Sequence, residues 1–390
     1  MTSPSFTSTA APVFGKSTLA ALVTFAAITP LVLLVAPAVA AQLGVQLGLS
    51  ASEIGTYFFV ELGAFSCATL PSYLWLGRMD ARRVAAFSLA IFCLGNLLTA
   101  LLMPGFAALL ALRAVTALGG GTLMVLCMTS AATSKNHDRT FGLWVVGQLV
   151  AGAVGLFLLP YLFSAYGLRS FYVALAALGA IAAPLCRGFD TTRPDAARGA
   201  AIPQSQSISI AILAIAGVLA FYIAIGGVWT FASAAATNAG LNDADTGKVL
   251  SVATIMGIVG ALIASFIGSR VERKAMLIAG YAILAVSLIV LATHPTATGY
   301  SIAVFAFKFA WTFVLPLILA VVAKSDGTGR LVASLTLVIG LGLAVGPLIA
   351  GVMLDTGWGL GSVFVAATVA CLISLAFLFH VERKGQPDRA

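Results

Sequence analysis

Three ionisable side chains stand in stretches that are otherwise oily: Glu61 in GTYFFVELGAF, Arg113 in RAVTALGGG and Lys308 in AVFAFKFAW. Moving an ammonium to the centre of a bilayer costs about 3 kcal/mol on insertion scales, so such groups face a bundle interior or a watery cavity and mark function. Helical spacing supplies their neighbours, because residues three, four and seven apart share a face. Lys308 aligns with Trp311 and Thr312, Arg113 with Thr116 and Glu61 with Tyr57, while Gln148 shares a face with Trp144 and Tyr222 with Trp229. Two cations among aromatic rings and a few polar groups suit an amphipathic or aromatic organic anion, since ring stacking and charge pairing then cooperate. Glu61 is the candidate proton carrier, because desolvation raises a carboxylate's pKa while a nearby cation lowers it. The structural alternative is that Glu61 simply neutralises Arg113 while Lys308 reaches toward the headgroups.

Other chemistries find no support. Cys67, Cys93, Cys127, Cys186 and Cys371 lie in apolar windows without CxxC or Cys/His spacing, and the three histidines are far apart in the chain, so no metal and no cofactor is expected. Gly119–Gly121 are not followed by GK[ST], which leaves no nucleotide loop. The net charge of +8 shows no basic cluster interleaved with aromatics, so nucleic acid is not an expected partner. An enzyme would need clustered acid, base and nucleophile groups, and the three deep charges are spread over separate apolar windows.

The elements that must hold these residues are membrane helices. With 61% hydrophobic and 9% charged residues, the chain cannot cover a soluble surface. Twelve windows approach the roughly 20 apolar residues needed to span the hydrocarbon core. The polar segment RGFDTTRPDAARGAAIPQSQS divides them six and six. The expected organisation is a tail at 1–16, a six-helix bundle at 17–186, a linker at 187–207, a second bundle at 208–380 and a tail at 381–390. If the amino terminus is inside, seventeen of the twenty-one lysines and arginines fall in cytoplasmic segments. The positive-inside rule therefore predicts a multi-pass protein of the cell membrane with both termini cytoplasmic. Lys16, an apolar run and Ala38-Val39-Ala40 imitate a signal peptide, but the run is long and its removal would spoil the twelve. Tails this short also speak against a sensor with an output domain.

The halves echo each other. GRMDARR (Gly77–Arg83) follows the second window and GSRVERK (Gly268–Lys274) the eighth, 191 residues apart, and Gly167 and Gly357 are 190 apart. Parallel repeats of six helices with a midplane site are a transporter architecture. These loops resemble the cytoplasmic signature of the major facilitator superfamily: a glycine, an acid and then arginines. The second copy keeps the usual Gly268 to Glu272 spacing, and in the first Asp80 comes three residues after Gly77. RAVTALGGG resembles the family's arginine-bearing motif, with Thr116 where glutamine is usual, and GLAVGPLIAG followed by LDTGW resembles its pattern in helix 11. The resemblance implies an all-α fold of twelve transmembrane helices in two pseudo-symmetric bundles. It also implies a cytoplasmic gate of Gly77, Asp80, Arg82, Arg83, Gly268, Glu272, Arg273 and Lys274. Physically, such loops can make charge-assisted bonds to helix ends in one conformation and release them in the other.

The expected activity is secondary active transport of a small organic solute by alternating access, coupled to protons and leaning to uptake of an organic anion by symport, with the protein a monomer in the bilayer. Arg113, Lys308, Thr116, Gln148, Tyr57, Tyr222, Trp229, Trp311 and Thr312 form the expected substrate pathway and Glu61 the proton site. The alternative is a drug or metabolite efflux antiporter; GQLVAGAVGL (Gly147–Leu156) has the glycines of that group's helix 5 motif and lacks its proline.

Overall fold

The computed structural model describes residues 16–76, 78–132, 137–189, 208–267, 271–325 and 330–384. Gly77, Gly268 and linker positions 190–207 lie outside these described residues. The first passage is jointed: α1 (Lys16–Ile28), α2 (Leu31–Leu34) and α3 (Ala36–Leu47). Pro30 and Pro37 cause the joints, because proline removes the N–H that would bond the carbonyl four residues earlier and crowds that carbonyl. The second passage is α4 (Ala51–Cys67) and α5 (Thr69–Trp75). Then come α6 (Ala81–Leu102), α7 (Phe106–Ala132), α8 (His137–Tyr166) and α9 (Arg169–Ala182), the last running into a 3-10 turn, Ala183–Gly188. The second half opens with another jointed passage, α10 (Ile208–Thr230) and α11 (Ala232–Asn238). It continues with α12 (Asp243–Ile267), α13 (Arg273–Ala292), α14 (Ala297–Ser325), α15 (Arg330–Asp355) and α16 (Leu360–Lys384).

Ten of the described helices are long and apolar enough to cross a membrane, and the jointed stretches 16–47 and 51–75 precede them, consistent with the expected twelve. Ile181, Phe266, Phe87 and Val286 turn outward and exposed, as side chains facing lipid should. The pseudo-repeat is visible in the backbone. Gly167 and Gly357 both adopt positive φ, 68° and 89°, at the turns before α9 and α16, a conformation glycine enters without steric cost. Asp80 and Glu272 take equivalent N-cap positions on α6 and α13. Asp80 accepts the Arg82 N–H at 2.8 Å, whereas Glu272 makes no side-chain cap bond.

The two halves meet most intimately along α4 and α15. Gly55 lies under the Pro347 carbonyl, Gly351 under that of Ala51 and Gly340 against the Ser66 hydroxyl. Any β-carbon at these places would collide with a neighbour, so the small residues set how closely the helices approach. At the end of this seam Asp355, closing α15, reaches the first turn of α4. The Ala51 N–H donates to Asp355 Oδ1 at 3.1 Å, the Ser52 N–H to Oδ2 at 3.0 Å and the Ser52 hydroxyl to Oδ2 at 2.5 Å. A carboxylate here satisfies orphan donors and complements the positive end of the helix dipole. This latch lies on the face opposite the one at which Lys16 and Lys384 lie, called below the terminal face.

Candidate functional site

Glu61 reaches the bundle interior from the middle of α4, where Gly63 and Ala344 keep the neighbouring helix close. Across from it, α7 presents Arg113, fully buried. Arg113 Nε donates to Glu61 Oε2 at 2.7 Å and Nη2 to Oε1 at 2.5 Å, the bidentate fork that fits guanidinium to carboxylate. Nη1 donates to Asn96 Oδ1 of α6 at 2.8 Å, and the Asn96 amide in turn donates to the Phe92 carbonyl. The guanidinium carbon stands 5.0 Å from the Tyr172 ring, and the Tyr172 and Tyr57 hydroxyls share a 2.8 Å hydrogen bond. This cluster joins α4, α6, α7 and α9 of the first half, and its two formal charges cancel.

Lys308 of α14 has a different setting. It is 2% exposed, and among the described residues no carboxylate lies within ion-pair distance of its ammonium. Nζ sits 3.8 Å from the ring centroid of Trp229 on α10 and 3.8 Å from that of Trp311, one turn along its own helix. The two indoles meet edge to face at 6.1 Å. Cation–π contacts give about 0.5 to 2 kcal/mol each, so the pair offsets much of the burial cost and supplies no negative charge.

The other expected pathway residues divide between these clusters and packing roles. Tyr57 belongs to the Arg113 cluster; Trp229 and Trp311 hold Lys308. The Thr116 hydroxyl donates to its own Leu112 carbonyl, and its side chain fills the space above Gly95. Thr312 donates to the Gly257 carbonyl of α12 at 2.6 Å, and Tyr222 packs edge to face with Phe221 beside Gly342. Gln148 Nε2 donates to the Ala26 carbonyl at 3.0 Å, and Trp229 Nε1 to the Leu33 carbonyl at 3.2 Å. Each of those carbonyls sits four residues before a proline of the jointed first passage.

On the terminal face, Arg82 Nε donates to the Phe189 carbonyl at 2.9 Å, and Arg83 is exposed. Arg273 lies 3.7 Å from Glu382, which also takes Lys324 at 3.4 Å. Sequence reasoning passed over Glu382, Lys324, Asn96, Tyr172 and Asp355. Asn96 was signalled by being an amide within an apolar window, and Asp355 by standing in the quoted LDTGW. The clefts on the opposite face are separate from Lys308. One of about 540 Å³ is lined by Gln42, Tyr161, Ser164, Asp243 and Thr246 among others.

With this geometry in view, the likenesses to known proteins fall into place. The family profile described as Major Facilitator Superfamily matches residues 18–330 and, separately, 214–390. A Bacillus subtilis (strain 168) protein described as the uncharacterized MFS-type transporter YbcL is 26% identical over 144 residues, covering 36% of this chain and 37% of that one. Among solved structures, a D-xylose-proton symporter aligns with TM-score 0.74 at 12% identity over 95% of this chain and 98% of its own. A bacterial homolog of the human lysosomal transporter Spinster, inward-facing and occupied, aligns with TM-score 0.71 at 16% identity over 95% and 98%. The nucleoside transporter NupG aligns with TM-score 0.68 at 13% identity over 96% and 100%. At such identities the structures speak for the fold, and the profile match over nearly the whole chain speaks for kinship. This multi-pass membrane protein belongs to the Major Facilitator Superfamily.

Proposed function

We propose that the chain is a secondary active transporter, lodged in the cell membrane with both termini in the cytoplasm, that carries a small organic anion by alternating access of its two halves. The observation that carries this reading is Lys308: a buried ammonium with aromatic walls and, among the described residues, no carboxylate to cancel it. A substrate carboxylate would supply the missing charge, and an aromatic body would stack on the rings that now flank the ammonium. One chain brings both halves and every residue around Lys308 named here, so a monomer suffices. Gradients supply the energy, and the name of the D-xylose-proton symporter favours protons as the coupling ion. Glu61 is then the proton site: a proton there would break the fork to Arg113 and free the guanidinium for a second contact with the anion. The terminal-face charges Asp80, Arg82, Arg83, Glu272, Arg273 and Lys274, together with Gly77 and Gly268, which lie outside the described residues, would form the cytoplasmic gate.

The test is uptake into proteoliposomes of a panel of aromatic and aliphatic carboxylates and cationic dyes, with and without a pH gradient. Uptake of a carboxylate, lost at least tenfold in affinity in Lys308→Ala, is expected. Transport of dyes alone, or unchanged carboxylate affinity in Lys308→Ala, would overturn the anion reading. Glu61→Gln should abolish uphill accumulation and leave substrate exchange running; retained accumulation would remove Glu61 from coupling.

A further inference from the structure

The prolines of the jointed first passage leave two carbonyls without their helical partners, Ala26 ahead of Pro30 and Leu33 ahead of Pro37. In a membrane such groups must be satisfied by neighbouring elements. The two solutions differ. Ala26 is served by Gln148 of α8, inside the same half, so that bond survives any rigid-body motion of one half against the other. Leu33 is served by Trp229 of α10, across the boundary between halves. The indole face of this same Trp229 covers the Lys308 ammonium at 3.8 Å. One side chain therefore touches both the ammonium of the second half, which has no carboxylate partner among the described residues, and the loosened backbone of the first.

We infer that Trp229 is a clasp: its N–H ties α2 of the jointed first passage to the second half while its ring occupies the ammonium, and an anion arriving at Lys308 draws the ring away and releases the tie. The inference rests on the anion reading of Lys308 and adds the route by which occupancy reaches the other half. Its consequence is that the empty carrier is held in the conformation described here, whereas the loaded carrier is free to reorient. Trp229 acts as a positioning residue, since its N–H bonds the protein and leaves the anion to Lys308. A carrier of this kind exchanges anions faster than it moves them one way, because the return of the empty form is the step the clasp opposes.

Two substitutions weaken the tie from opposite ends, one by deleting the donor and one by giving the carbonyl a competing donor. Trp229→Phe keeps an aromatic face for Lys308 and deletes the donor. Pro37→Ala keeps the indole and offers Leu33 an N–H within its own helix, four residues on. A hydrogen bond of ordinary net strength shifts a two-state equilibrium by about two- to tenfold. Spin labels at Ala41 and Asn238, on the α3 and α11 sides of the boundary, report the separation of the halves in ligand-free nanodiscs. Both variants should raise the ratio of long to short distances by about two- to tenfold, while Pro30→Ala, which frees only the bond within one half, should match the wild type. Distributions like the wild type in both Trp229→Phe and Pro37→Ala would overturn the clasp, as would an equal shift in Pro30→Ala, which would assign the effect to bending of helix 1. Because no ligand is present, this outcome is separate from the Lys308→Ala affinity test that decides the anion reading. A carboxylate that binds the wild type, benzoate being the first probe, should produce the same shift; binding without a shift would sever Lys308 from helix 1.

Discussion

The two halves bury positive charge in opposite ways. In the first, Arg113 is paired: three of its five N–H donors go to Glu61 and Asn96, and a tyrosine ring lies beside it. In the second, Lys308 has two indole faces and, among the described residues, no carboxylate. A bidentate pair holds helices together, whereas a cation without a counter-charge among the described residues is open to a ligand. The difference separates a cluster whose removal should be felt as stability from one whose removal should be felt as binding, although both read alike in the sequence as a charge within an apolar helix.

The largest expected effect is on the paired side. Arg113→Met leaves the Glu61 carboxylate buried without its partner, and breaking a buried pair in this way costs about 3 to 5 kcal/mol. Thermal unfolding in detergent should show the single variant strongly destabilised and the double variant Glu61→Leu/Arg113→Met largely restored, because no orphan charge remains. A double variant as unstable as the single would mean that Asn96 and Tyr172 depend on the guanidinium itself.

The all-helical membrane fold was legible because hydropathy acts on whole segments, and the echo of Gly167 in Gly357 follows from spacing alone. The site was legible as a set of residue types and not as partnerships. Helical spacing could align Lys308 with Trp311, three residues on, but nothing local could bring Trp229 from α10 to the other side of the ammonium. Glu61 had two cations to choose from, and only the packing of α4 against α7 decided for Arg113. The partners of Thr116, Thr312 and Gln148 were not legible for one reason: a hydroxyl or amide in an apolar helix meets its hydrogen-bonding needs at a nearby carbonyl, including those freed by proline, and packing decides which.

An intermediate effect belongs to the seam between the halves. Asp355→Asn keeps the shape of the latch but removes the charge that complements the α4 amino terminus, and the amide cannot accept with both of its atoms. About 1 to 2 kcal/mol should be lost from this conformation. A cysteine introduced at Ile54, which is 7% exposed in the closed seam, should be labelled several-fold faster in the Asp355→Asn background. Equal labelling rates would show that the glycine contacts alone, Gly55 with Pro347 and Gly351 with Ala51, keep this face shut.

The smallest effect should come from Lys308, the residue at which anion binding is proposed. Lys308→Met removes two cation–π contacts but also removes the cost of burying an ammonium, and no carboxylate is orphaned among the described residues. A flexible thioether of similar length can lie between the same two indoles. The net change in stability should therefore stay within about 1 kcal/mol, the balance of two opposing terms of similar size. Melting curves of Lys308→Met and Arg113→Met measured side by side make the contrast quantitative. A loss at Lys308 as large as that at Arg113 would reveal a counter-charge acting on the ammonium, and the distinction between a structural cation and a ligand-seeking one would disappear with it.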